Sequence, residues 1–94
     1  MMDDLLLAPT AADVEGVLAR RVRAARKARG WTQGELATRS GLSLATITRL
    51  ERSGHGQIST LLAVCAALDR LDDFDALLRP SQPTTLAELR RRRT

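Results

Sequence analysis

Between Gly30 and Gly54 the chain is divided into two short amphipathic segments, each opened by a hydroxyl residue, and that punctuation restricts it to small packed helices. Thr32-Gln33-Gly34-Glu35 has the spacing of a capping box, in which hydroxyl and carboxylate each satisfy a free amide at a helix start. It predicts a short helix from about Gln33 that carries Leu36 and Ala37 inward. Ser40-Gly41-Leu42-Ser43 then reads as a tight turn: Gly41 supplies a positive φ, Leu42 anchors the turn in the core, and Ser43 caps a further helix over about Leu44 to Arg52. At about 100° per residue, Ile47 and Leu50 of that helix point one way. Ala45, Thr48, Arg49 and Arg52 cluster on the opposite side, with Leu44 and Thr46 on the flanks.

The flanking sequence supplies the rest of a bundle. Thr10 with Asp13 opens a first helix that runs to about Arg29, with Val14, Leu18, Val22 and Ala25 as its apolar positions and Gly30 as its stop. After the polar loop from Ser53 to Gln57, Ser59 is expected to cap a fourth helix with Ile58, Leu61, Leu62, Cys65 and Leu68 on one stripe. A fifth short helix is expected from Asp73 to Arg79, with Phe74, Leu77 and Leu78 apolar, before Pro80 and Pro83 break the chain. The stretch from Thr84 to Thr94 reads as one frayed helix carrying Leu86 and Leu89 and ending in arginines. One Trp, one Phe and no Tyr leave Leu, Ala, Val and Ile to build the core, a palette that suits helices better than a sheet. Ninety-four residues hold one domain. The expected division is an extension over 1–10, a helical domain over 11–79 and a Pro-containing, Arg-rich tail over 80–94.

Fifteen basic residues against eleven acidic ones give a formal charge of +4, which favours an anionic partner such as nucleic acid. The single cysteine, Cys65, can form no intrachain disulfide and is expected in the core of a protein kept in a reducing interior. The Leu5 to Ala8 run follows acids rather than a basic segment and is short for a signal peptide, so the cytoplasm is the expected location. One His, one Cys and scattered carboxylates make no nucleophile–base pair, metal cluster or phosphate loop, so neither an enzyme nor a metal or other cofactor is expected. His55 stands in a glycine loop without companion ligands.

Three stretches taken in order, Gly30-Trp31-Thr32-Gln33-Gly34-Glu35-Leu36-Ala37, Ser40-Gly41-Leu42-Ser43 and Ile47-Thr48-Arg49-Leu50-Glu51, resemble the Xre/Cro/CI helix-turn-helix family. The resemblance spans about Leu18 to Leu68. It implies an all-α, five-helix, lambda-repressor-like DNA-binding domain whose third helix enters the major groove. On matching positions it implies that Ser43, Leu44, Ala45, Thr48 and Arg49 face bases. Thr32, Gln33, Thr46, Arg52, Ser53 and His55 would lie near phosphates, and Arg26 and Glu51 would bridge the first helix to the third. The chain departs from relatives with glutamines at the start of the third helix, so amide recognition of adenine is not expected there. Arg49 can instead give paired donors to guanine O6 and N7, while Leu44 and Ala45 suit a thymine methyl.

Relatives dimerise through the terminal helix, so Phe74, Leu77 and Leu78 are the expected homodimer contact, the pair reading a palindromic duplex operator. Packing of these residues within their own chain is the plainer alternative. Arg49 and Arg52 could likewise be solvated surface, and the basic run of the first helix simple solubilising charge. Trp31 reads as a core plug behind the turn, since a chain almost without aromatics offers no stacking platform for single strands. Arg90 to Arg93 leave three readings open: an arm on DNA, a partner-binding tail, or an inert end. The expected function is a repressor or autoregulator of its own operon. The second reading, from similarity to HipB-like proteins, is an antitoxin that also neutralises a protein toxin.

Overall fold

The computed structural model describes residues 8–81 and 85–92. Among them are five α-helices and no strand: α1 (Ala11–Ala28), α2 (Gln33–Ser40), α3 (Leu44–Ser53), α4 (Ile58–Ala67) and α5 (Leu86–Arg92), with a 3₁₀ turn over Leu71–Phe74 between α4 and α5. The Leu5 to Leu7 run and Arg93 lie outside the described residues. No helix among the described residues is long and apolar enough to cross a membrane.

The starts of the first three helices follow from local chemistry. Thr10 accepts from the Asp13 amide while Asp13 accepts from the Thr10 amide, and Thr32 and Glu35 repeat the exchange at α2. Ser43 Oγ accepts from the Thr46 amide to open α3. Gly41, at φ 74°, closes α2 in the left-handed region, and the following Leu42 amide returns to the Ala37 carbonyl.

The core is formed where α1, α2, α3 and α4 meet. Leu36, Ile47 and Val64 are fully enclosed, surrounded by Val22, Ala37, Leu50 and Leu68, with Ala25, Trp31, Leu42, Leu61 and Ala67 packed at its margin. Burying an aliphatic side chain of this size contributes about 1.5–3 kcal/mol, so Ile47 and Leu50 hold α3 firmly by one face.

Three expectations are corrected. The stretch from Asp73 to Arg79 is no α-helix: the 3₁₀ turn begins at Leu71, and the amides of Asp75, Leu77 and Arg79 bond carbonyls only three residues back. The two aspartates of the stretch, Asp73 and Asp75, favour an α-helix weakly. Leu78, at φ 52°, then turns the chain out of the helical region.

Ser59 is not the cap of α4. The helix begins at Ile58, with Gln57, two residues before Ser59, as its N-cap, because the Gln57 carbonyl already receives the Leu61 amide. Ser59 Oγ donates instead to Gln57 Oε1 at 3.4 Å. The inward stripe of α4 is therefore Leu61, Val64 and Leu68, rotated from the expected one. Ile58 is left 79% exposed in the first turn, Leu62 faces solvent, and Cys65 is half-buried at the margin rather than in the core.

The apolar face of α1 is also rotated. Ala19, Val22 and Arg26 are its buried positions, whereas Leu18 and Ala25 are half-buried and Val14 is exposed. These last three, with Leu61, Cys65, Leu68, Phe74 and Leu77, line an open apolar groove of about 680 Å³ between α1 and the segment that follows α4.

Candidate nucleic-acid interface

The turn Gly41-Leu42-Ser43 joins α2 to α3 so that α3 lies across the bundle with one face buried and the other outward. Ile47, Leu50 and Glu51 are its buried residues. On the far side Leu44, Ala45, Thr48, Arg49 and Arg52 line a shallow, open depression of about 470 Å³. Four of these, Leu44, Ala45, Thr48 and Arg49, are residues that the family resemblance implies would face bases, and the fifth, Arg52, is one it implies would lie near phosphates.

Ser43 and Thr46 are held at the N-terminus of α3 by each other. Their hydroxyls lie 2.8 Å apart, and Ser43 Oγ also caps the helix, so much of the bonding capacity of Ser43 serves the fold. Thr32 has an equivalent role at α2, where its hydroxyl receives the Glu35 amide at 3.0 Å. The same arrangement holds the Glu35 carboxyl below its ordinary value, first through the bond from the Thr32 amide and then through the threonine hydroxyl.

The loop after α3 is positioned by close backbone approach. Gly54 lies at φ 78°, and a Cβ there would fall 2.2 Å from the Glu15 carbonyl oxygen of α1. Ser53 Oγ donates to the Arg49 carbonyl at 3.1 Å and accepts from the His55 amide, so its proton is turned inward. His55 Nε2 stands 3.7 Å from a Glu15 carboxylate oxygen at the surface.

Beneath the depression lies a buried polar cluster. Arg26 Nε donates to Glu51 Oε2 at 2.7 Å and Nη2 to Oε1 at 2.9 Å, while Nη1 donates to the Trp31 carbonyl at 2.7 Å. The bond to Glu51 raises the Arg26 pKa, against burial, which acts in the opposite direction. Gln33, from the first turn of α2, joins the cluster: its Nε2 donates to Glu51 Oε1 at 3.1 Å, and its Oε1 accepts from Thr48 Oγ1 at 3.4 Å. The link from Gln33 to Thr48 was not foreseen from the sequence. Helical spacing places residues within one helix but does not measure the approach of α2 to α3.

Trp31 is half-buried against the core, as a plug behind the turn should be. The guanidinium groups of Arg29 and Arg39 lie 5.2 and 4.3 Å from its ring centroid, and Arg29 also donates to the Leu68 carbonyl at 2.8 Å. These arginines therefore serve the joint between α1, α2 and the end of α4. Burial first, and then the charge of Asp73, push the Cys65 thiol pKa up.

Phe74 is half-buried, while Leu77 and Leu78 are 64% and 93% exposed. No curated protein matches the chain. Comparison with protein families matches residues 22–74, from the middle of α1 through the 3₁₀ turn, to the helix-turn-helix family. With α2, its glycine turn and α3 inside that span, the chain belongs to the helix-turn-helix family and is a DNA-binding transcription regulator.

Proposed function

We propose that the chain is a sequence-specific repressor or autoregulator of its own operon, binding a palindromic duplex operator as a homodimer and requiring no cofactor. The observation that carries this reading is the depression lined by Leu44, Ala45, Thr48, Arg49 and Arg52, opposite the buried Ile47 and Leu50. An α-helix fits the width of the major groove, and this outward face offers it a cation, a hydroxyl and small or apolar side chains. Thr32 and Arg52 flank that face as phosphate contacts. Exposed Leu77, which lines the apolar groove, and exposed Leu78 next to it in the chain support pairing of two copies there.

Selection of duplex fragments from a random pool by the purified protein tests the reading. The expected product is a two-fold symmetric motif with half-sites about one helical turn apart, its affinity falling steeply as salt rises. A protein that enriches no motif at low salt would not be an operator-binding regulator.

A second reading, an antitoxin that also neutralises a protein toxin, draws support from α5. This helix is opened by Thr85, which accepts from the Glu88 amide, and leaves Leu86 and Leu89 about half exposed. Copurification with the product of an adjacent gene, lost on deletion of 80–94 while DNA binding is kept, would establish it.

A further inference from the structure

The hydrogen bonds beneath the depression fix which kind of base edge Thr48 can accept. Glu51, held by two donors of Arg26, can only accept hydrogen bonds. The Gln33 amide must therefore present its nitrogen to Glu51, at 3.1 Å, and this sets its orientation. Its oxygen consequently faces Thr48, 3.4 Å away, and because that oxygen has no proton the Thr48 hydroxyl must be the donor. A hydroxyl has one proton. With that proton directed to Gln33, what Thr48 Oγ1 retains for the depression is acceptor capacity.

We propose that Thr48 is a specificity-determining acceptor that selects an amino-bearing base, adenine or cytosine, on the strand it faces, and that Gln33 is the positioning residue that sets this polarity. The inference rests on the reading of α3 as a major-groove helix. In that groove adenine presents N6–H₂ and cytosine N4–H₂, whereas guanine and thymine present the acceptors O6 and O4 at the corresponding edge. A threonine free to rotate its proton would serve all four bases; one bonded to Gln33 meets guanine or thymine with oxygen against oxygen. The buried Arg26–Glu51 pair thus acts on sequence choice through two hydrogen bonds, without touching DNA.

The test is parallel selection from a random duplex pool by the wild type, Thr48→Val and Gln33→Leu, each checked for helical content and thermal midpoint. Thr48 is exposed, so Thr48→Val keeps the fold and the side-chain shape while removing the acceptor. The wild type is expected to prefer A or C over G or T by about tenfold at one position of each half-site. Thr48→Val should lose that preference at that position alone. Gln33→Leu should relax it by freeing the hydroxyl proton; an even loss of affinity across all sequences, from any phosphate contact Gln33 makes, leaves this readout unaffected. A keto base at the Thr48-dependent position overturns the proposal, as does a Thr48→Val variant that selects the wild-type motif. An unrelaxed preference in a folded Gln33→Leu variant overturns the role of Gln33. In each of these cases a motif is still selected, which separates them from failure of operator binding itself.

Discussion

Glu51 of α3 receives two hydrogen bonds from the guanidinium of Arg26 in α1, and the two side chains are 2% and 9% exposed. The paired geometry fixes the rotation of α3 about its own axis as well as its distance from α1. Burial of both charges offsets much of their attraction, so the value of the pair lies in orientation more than in net stability.

Removal of one partner should therefore be costly and removal of both much less so. Arg26→Met leaves a buried carboxylate and should cost about 3–5 kcal/mol, whereas the double variant Arg26→Met, Glu51→Leu should regain most of that loss. Urea unfolding followed by circular dichroism measures both. Equal midpoints for the wild type and Arg26→Met would show that the pair does not constrain the fold.

The glycines at 41 and 54 share a positive φ but differ in surroundings. A Cβ on Gly41 meets nothing within 4 Å, so Gly41→Ala should cost only the left-handed conformation, about 1–2 kcal/mol. A Cβ on Gly54 would strike the backbone of Glu15, so Gly54→Ala must displace α1 or the loop as well and should cost more than Gly41→Ala. The order of the two denaturation midpoints decides the matter.

Much of the fold is legible where its cause is local. Thr10 with Asp13, Thr32 with Glu35, and Ser43 each announce a helix start because donor and acceptor lie within three residues. The turn at Gly41 and the split of α3 into an Ile47 face and an Arg49 face are legible for the same reason. Legibility fails where packing decides. The stripe of α4 can be drawn through Ile58 and Cys65 as well as through Val64, and only the position of α2 against it selects Val64 for the centre. Leu71 to Leu78 has apolar residues at nearly helical spacing, yet its bonds close after three residues and leave Leu78 in solvent. At the site, the resemblance to a known family supplied Arg26 and Glu51, while the bond from Thr48 to Gln33 depends on the tertiary approach of two helices.

Acid should loosen the start of α2 in a predictable direction. The Glu35 pKa is lowered in the folded chain from an ordinary 4.5, chiefly by the Thr32 amide. A lowered folded pKa means that the stabilisation is fully present above the unfolded value and is lost as pH falls through the folded one. Glu35→Gln keeps an acceptor for the Thr32 amide but does not titrate there, so its thermal midpoint should fall less than that of the wild type between about pH 5 and pH 2. Parallel slopes for the two proteins would remove Glu35 from the acid transition.

If two copies pair as proposed, the exposure of Leu77 and Leu78 separates that contact from core packing, because side chains so open contribute little to the stability of one copy. The double variant Leu77→Lys, Leu78→Lys should therefore keep the helical content of the wild type. It should also keep the thermal midpoint of the wild type at low protein concentration, where dimers dissociate. Its mass by sedimentation should be that of a single chain. Two linked recognition helices gain affinity through effective concentration, a factor of about 10²–10⁴ over one, so operator binding should weaken by that order while the half-site preference stays the same. A variant that sediments as the wild type does would locate pairing elsewhere on the surface. A monomer with undiminished affinity for the palindrome would mean that one copy suffices for binding.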